Sequence, residues 1–104
     1  MQPLTPKNIM NKTEAAYANH LYLQQVLKEI VDFRFEPFGL KLADKTYYHP
    51  DFLVVFADHF EIHEVKGFMR EDANVKLKVA AKLFPWFKFK LVKRIKKEWE
   101  IKEI

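Results

Sequence analysis

The stretch YHPDFLVVFADHFEIHEVKG, residues 48–67, carries two acids and a lysine at the ends of two apolar runs. Asp51 opens the first run, and Glu64 and Lys66 close the second, with Ala57, Asp58 and His59 between the runs. If these are antiparallel strands turning near residue 58, Asp51 falls opposite a residue within one position of 65. Residues two apart on a strand share a face, so Glu64 and Lys66 point the same way as Phe60 and Ile62. Charges at the edge of an apolar surface are costly to bury unless paired or metal-bound. Two neighbouring carboxylates repel, and a hard divalent cation such as Mg²⁺ (or Mn²⁺) relieves that repulsion. Such a cation can polarise a phosphate and acidify a bound water, while the lysine positions or deprotonates that water. This is the chemistry of phosphodiester hydrolysis. The competing reading is a salt-bridged sheet edge, in which Asp51 caps its strand and Lys66 pairs with Glu64.

The elements that must position these residues follow from hydrophobic periodicity. Residues 1–10, with Pro3 and Pro6, read as a loose arm. Asn11 or Thr13 can cap a helix over about 13–31, and Glu14 near its start complements the helix dipole. Tyr17, Leu21, Val26, Leu27 and Ile30 recur there at helical spacing. The alternation of Phe33, Phe35, Phe38, Leu40 and Leu42, broken by Pro37 and Gly39, predicts a strand over 38–43 or two short pieces. Residues 43–46 turn the chain, and Tyr47 and Tyr48 resume the sheet before hairpin strands at 51–57 and 59–66. After Gly67 helical spacing returns, with Asp72 as the cap, Ala73, Leu77, Ala80, Ala81 and Phe84 on one face, and Pro85 as the stop. Phe87, Phe89 and Leu91 then alternate with Lys88 and Lys90 in a strand, and the tail adds a short strand by hairpin. The order helix, about three strands, helix, one or two strands makes this an α/β (α+β) domain whose mixed central sheet is flanked by helices.

Composition narrows the partners. A chain of 104 residues suits one domain, and 49% hydrophobic residues with ten phenylalanines can build a core. The absence of cysteine excludes disulfides and thiolate metal sites. No apolar run approaches the ~20 residues that span a bilayer, and the N-terminus lacks the apolar centre of a signal peptide, so a cytoplasmic protein without membrane contact is expected. Lys plus Arg exceed Asp plus Glu by 18 to 14, a net charge of +4, which fits a nucleic-acid partner without proving one.

At PDF (50–52) and EVKG (64–67) the sequence resembles the PD-(D/E)XK nuclease superfamily, which has the restriction-endonuclease-like fold with a core of helix, three strands, helix, strand. The combination E..Y...L in the first helix, Y.PDF and E.KG is similar to small phage-encoded nucleases near the Holliday-junction resolvases. The resemblance runs from about Glu14 to Leu91. It implies a Mg²⁺-dependent endodeoxyribonuclease in which Asp51, Glu64 and Val65 bind the metal and Lys66 assists the attacking water. It also implies that Glu14, the acid of the first helix, joins the catalytic set. Helical geometry puts Glu14 within about 20° of Leu21, on the core-facing side; the alternative is an acid half in solvent that complements the helix dipole.

Lys76, Lys78 and Lys82 lie on the second helix. Lys78 and Lys82 share a face and could contact phosphate, Lys78 foremost, or could form a solvated face. Lys88, Lys90, Lys93, Arg94, Lys96 and Lys97 make the C-terminal third basic. By strand alternation His63 points away from Glu64 and Lys66 and reads as structural or solvent-exposed. His49 sits beside the site, and His20 and His59 have no evident partner. Tyr47, Tyr48, Phe68 and Trp86 are candidates for base stacking or for the core. Branched DNA is the expected substrate, cut by a homodimer with the aromatic first helix at its interface. The rival is a non-catalytic DNA-binding or assembly module; action on RNA or on DNA ends is a third reading.

Overall fold

The computed structural model describes residues 9–66 and 71–104, the side chains of residues 71–73 excepted. Residues 1–8 of the expected arm, Gly67 and Phe68 lie outside the described residues, as do the side chains of Asp72 and Ala73. The chain runs α1 (Lys12–Val26), β1 (Asp32–Phe35), β2 (Leu40–Ala43), β3 (Thr46–Tyr48), β4 (Phe52–Val55), β5 (Phe60–Lys66), α2 (Glu71–Leu83), β6 (Phe87–Ile95) and β7 (Glu98–Glu103). No helix among the described residues is long and apolar enough to cross a membrane.

Helix α1 begins at a capping box. The Asn11 side chain accepts the Glu14 N–H at 2.8 Å, and Glu14 Oε1 accepts the Asn11 N–H at 2.9 Å. The helix stops at Val26, short of the expected 31. Lys28 takes a left-handed φ of 63°, which breaks the helical path without glycine. The chain then reverses, and the Val31 N–H bonds to the Val55 carbonyl, leading into β1. Only Tyr17 and Leu21 of the expected face are buried on the helix. Ile30 is buried from the loop, and Val26 and Leu27 are exposed. Asp72 is not a cap, because α2 already includes Glu71.

Five strands form the main sheet in the order β1-β4-β5-β6-β7. All neighbours are antiparallel except β5 and β6, which α2 joins by a parallel crossover. Strands β2 and β3 pair only with each other, as a small hairpin inserted between β1 and β4. The final β6–β7 turn uses Lys96 and Lys97, both at positive φ.

The sheet is covered on both faces. On one, Tyr17 and Leu21 of α1 and Ile30 pack on Phe52, Val54, Val65 and Val92. On the other, Leu77 and Ala80 of α2 and Leu40 and Tyr48 of the small hairpin pack on Ile62 and Phe89. Alternation along β5 therefore divides its side chains. Glu61, His63 and Val65 face α1, while Ile62, Glu64 and Lys66 face α2.

Candidate functional site

The β4–β5 register decides the site. Phe52 pairs with His63, so the next step outward sets Asp51 against Glu64. The bond actually formed is one residue further along. Asp51 Oδ2 accepts the Val65 N–H at 2.8 Å, within the range expected from the sequence. Buried Pro50 leads into Asp51, whose own carbonyl accepts the Glu36 N–H at 2.8 Å.

Glu64 reaches toward α2, where its Oε1 accepts the Tyr48 hydroxyl at 2.5 Å. Burial, then the charge of Glu64, push the Asp51 carboxyl up to about 8; the Val65 N–H opposes this and the charge of Glu14 adds to it. Glu64 is raised as well, by burial above all, against the lowering effect of the Tyr48 hydroxyl. Tyr48 itself is held far above the usual phenol range, by burial first and then by Glu64. Near neutral pH the pair therefore holds a proton that a cation can replace.

This electrostatic cost has a measurable sign. The Asp51 carboxyl titrates at about 8 in the fold against 3.8 ordinarily, so between those values the folded chain binds more protons than the unfolded one. Stability of the metal-free protein is expected to fall as pH rises from about 4 through 8. Thermal melts in chelator across pH 5–9 check this; a flat or rising melting temperature contradicts the raised carboxyl.

Lys66 is half-buried at the end of β5 and makes no ion pair among the described residues. Of the sheet-edge reading, the Lys66–Glu64 ion pair is not formed, while Asp51 does hold a main-chain N–H. Glu14 is half-buried, and its Oε1 is occupied by the helix cap, yet its charge is felt by both Asp51 and Glu64. Glu14 therefore serves the helix cap while standing close enough to influence the carboxyl pair. Val65 is buried on the α1 face and can offer a cation only its main-chain carbonyl. Lys78 and Lys82 are exposed on α2 and Lys76 is half-buried. Part of the basic C-terminal third is balanced locally, because β7 sets Glu103 against Lys90 and Glu100 against Lys93. Arg94 lies 4.5 Å from the centre of the Trp99 ring.

The histidines are engaged elsewhere. His63 bonds through Nδ1 to the Tyr17 hydroxyl at 2.6 Å and through Nε2 to Glu61 Oε1 at 2.8 Å. His59, expected to lack a partner, bridges Asp58 at 2.7 Å and Glu61 Oε2 at 2.6 Å. His20 stacks on Tyr17. Of the proposed stacking residues, Tyr48 is buried and committed to Glu64, whereas Tyr47 and Trp86 are exposed.

Comparison with protein-family models, with curated proteins and with solved structures gave no match. The chemistry of the site rests on its own residues.

The polar groups brought together are all oxygen, two half-buried carboxyls and nearby main chain. No group of three or more His, Cys, Asp or Glu side chains that could hold a metal occurs among the described residues. Such a sparse oxygen set suits Mg²⁺, which keeps several waters and binds through one or two carboxylates plus substrate phosphates. A caged zinc ion needs more ligands. Tyr48 takes the core place the sequence allowed it, but its bond to Glu64 was not foreseen, and Glu61 was missed altogether. The alternation His59-x-Glu61-x-His63 could have revealed Glu61.

Proposed function

We propose that the chain is a metal-dependent endodeoxyribonuclease of the PD-(D/E)XK type. The observation that carries this reading is the apposition of two half-buried carboxyls, Asp51 and Glu64, on neighbouring strands, with Lys66 two residues further along the same face. The order of elements supports it. With the β2–β3 hairpin set aside, the first six main elements run helix, three strands, helix, strand.

Asp51 and Glu64 would hold the cation, with the Val65 carbonyl and the charge of Glu14 beside them. A divalent ion held there would supply polarisation of the scissile phosphate and a more acidic water. Lys66 orients or deprotonates that water and offsets developing negative charge. Lys78 and Lys82, exposed on α2, hold flanking phosphates, with Lys76 behind them. Branched DNA is the proposed substrate, cut by a homodimer. The exposed apolar end of α1, with Tyr22, Leu23, Val26 and Leu27, supports a protein contact there.

The test is incubation of the protein with linear duplex, single-stranded and four-way DNA, in Mn²⁺, Mg²⁺ or chelator. Internal cleavage that requires the cation is expected, strongest on the four-way substrate. Lys66→Ala is expected to cleave about a hundredfold more slowly while binding Mn²⁺ as wild type does. Binding without cleavage of any substrate would place the chain among non-catalytic DNA-binding modules and overturn the reading.

A further inference from the structure

Of the four carboxyl oxygens at the Asp51–Glu64 pair, two already have a donor. Val65 N–H holds Asp51 Oδ2 at 2.8 Å, and the Tyr48 hydroxyl holds Glu64 Oε1 at 2.5 Å. The first donor is main chain within the same strand pair. The second arrives from a different sheet, since Tyr48 is the last residue of β3, which pairs only with β2. That hairpin is not part of the element order that supports the nuclease reading, so its contact with a candidate metal ligand needs a reason of its own.

The hairpin is firmly seated. Leu40 and Tyr48 are buried together with Leu77 and Ala80 of α2, and the Tyr48 ring lies 6.5 Å from that of Phe89 in β6. At its base the His49 ring closes over Gly39, where an added Cβ would stand 2.9 Å from His49 Cε1. The chain between Tyr48 and Asp51 is only His49 and Pro50, and Pro50 is fully buried. Tyr48 and Asp51 are therefore set by one short, packed connection.

We infer that Tyr48 is a positioning residue for the metal centre: its hydroxyl fixes Glu64 through Oε1 so that Oε2 faces the cation, as Val65 N–H fixes Asp51 so that Oδ1 does. Each acid then binds the metal through one oxygen, and the inserted hairpin is part of the site. This inference rests on the nuclease reading, specifically on a cation at Asp51 and Glu64. Partners of this kind orient ligating carboxylates, and their loss lowers metal affinity about 10- to 100-fold.

The experiment is calorimetric titration of the full chain with Mn²⁺, paired with thermal melts and with DNA binding in chelator. Tyr48→Phe keeps the ring against Phe89 and removes only the hydroxyl. It is expected to weaken Mn²⁺ binding about tenfold or more, with DNA affinity in chelator unchanged. Phe89→Leu disturbs the same packing without touching the hydroxyl. It is expected to lower the melting temperature and leave Mn²⁺ affinity within about twofold. If Tyr48→Phe binds Mn²⁺ as wild type does, or if Phe89→Leu weakens binding equally, the positioning role is overturned. If wild type binds no Mn²⁺, the nuclease reading itself falls and takes this inference with it.

Discussion

Asp51→Asn is expected to lose Mn²⁺ binding and DNA cleavage, and at the same time to melt higher than wild type in chelator at pH 8. The two effects have one origin. Burial and the neighbouring Glu64 push Asp51 up to about 8, so ionising it at alkaline pH is a cost that only a cation offsets. Asparagine removes that charge, and its side-chain oxygen can still accept the Val65 N–H that Asp51 Oδ2 now accepts. Cleavage should fall at least about a thousandfold, equivalent to ~4 kcal/mol of transition-state stabilisation. The gain in melting temperature should be about 4–8 °C per kcal/mol recovered for a domain of this size. Adding Mn²⁺ should raise the melting temperature of wild type and leave the variant unmoved. Melting curves with and without Mn²⁺ read out both halves; a variant less stable than wild type at pH 8 contradicts the electrostatic account.

Glu61→Ala is expected to be the most destabilising single change on the opposite face of the sheet. Glu61 is 6% exposed, and its two oxygens bond His63 and His59 at 2.8 and 2.6 Å, while His63 continues to the Tyr17 hydroxyl. The chain from Asp58 to Tyr17 ties α1 to the sheet through partners that satisfy one another. Removing its central carboxylate strands a buried imidazole, with an expected cost of about 3–5 kcal/mol. The acid limb identifies the mechanism. Burial alone would raise Glu61, but the hydrogen bonds of His63 and His59 outweigh it and hold the carboxyl at about 2, against 4.5 ordinarily. Its contribution is complete above about 4.5 and disappears as pH falls toward 2. Urea titrations at pH 7 and pH 3 should therefore show a smaller gap between variant and wild type at the lower pH. Glu61 faces α1, away from the carboxyl pair, so Mn²⁺ affinity should be unaffected.

The sequence was informative where a short-range rule constrains the outcome. Strand alternation and a turn near residue 58 allow Asp51 only a narrow set of partners, and the observed contacts with Val65 and Glu64 fall inside it. Helical spacing located both helices, and alternation located the strands from Leu40 onward, but it did not set β1 (Asp32–Phe35) apart from the expected strand at 38–43. Helical spacing failed at the end of α1, because Lys28 supplies a left-handed turn for which glycine or asparagine is the usual marker. The same holds at Lys96 and Lys97, two lysines in a turn that normally shows Asn-Gly. Tyr48 was unreadable for a different reason. Which sheet a short strand joins, and what its last side chain meets, depends on packing against α2 rather than on neighbours in sequence.

The placement of Tyr48, Asp51, Glu64 and Lys66 within residues 48–66 has a kinetic consequence. Bringing the two acids together closes a loop of only 13 residues, an entropic cost that grows slowly with length and is small here. The pair can therefore assemble early and stay assembled while α1 or the C-terminal β7 opens locally. In hydrogen-exchange terms, the Val65 amide, bonded to Asp51, should exchange among the slowest of the chain.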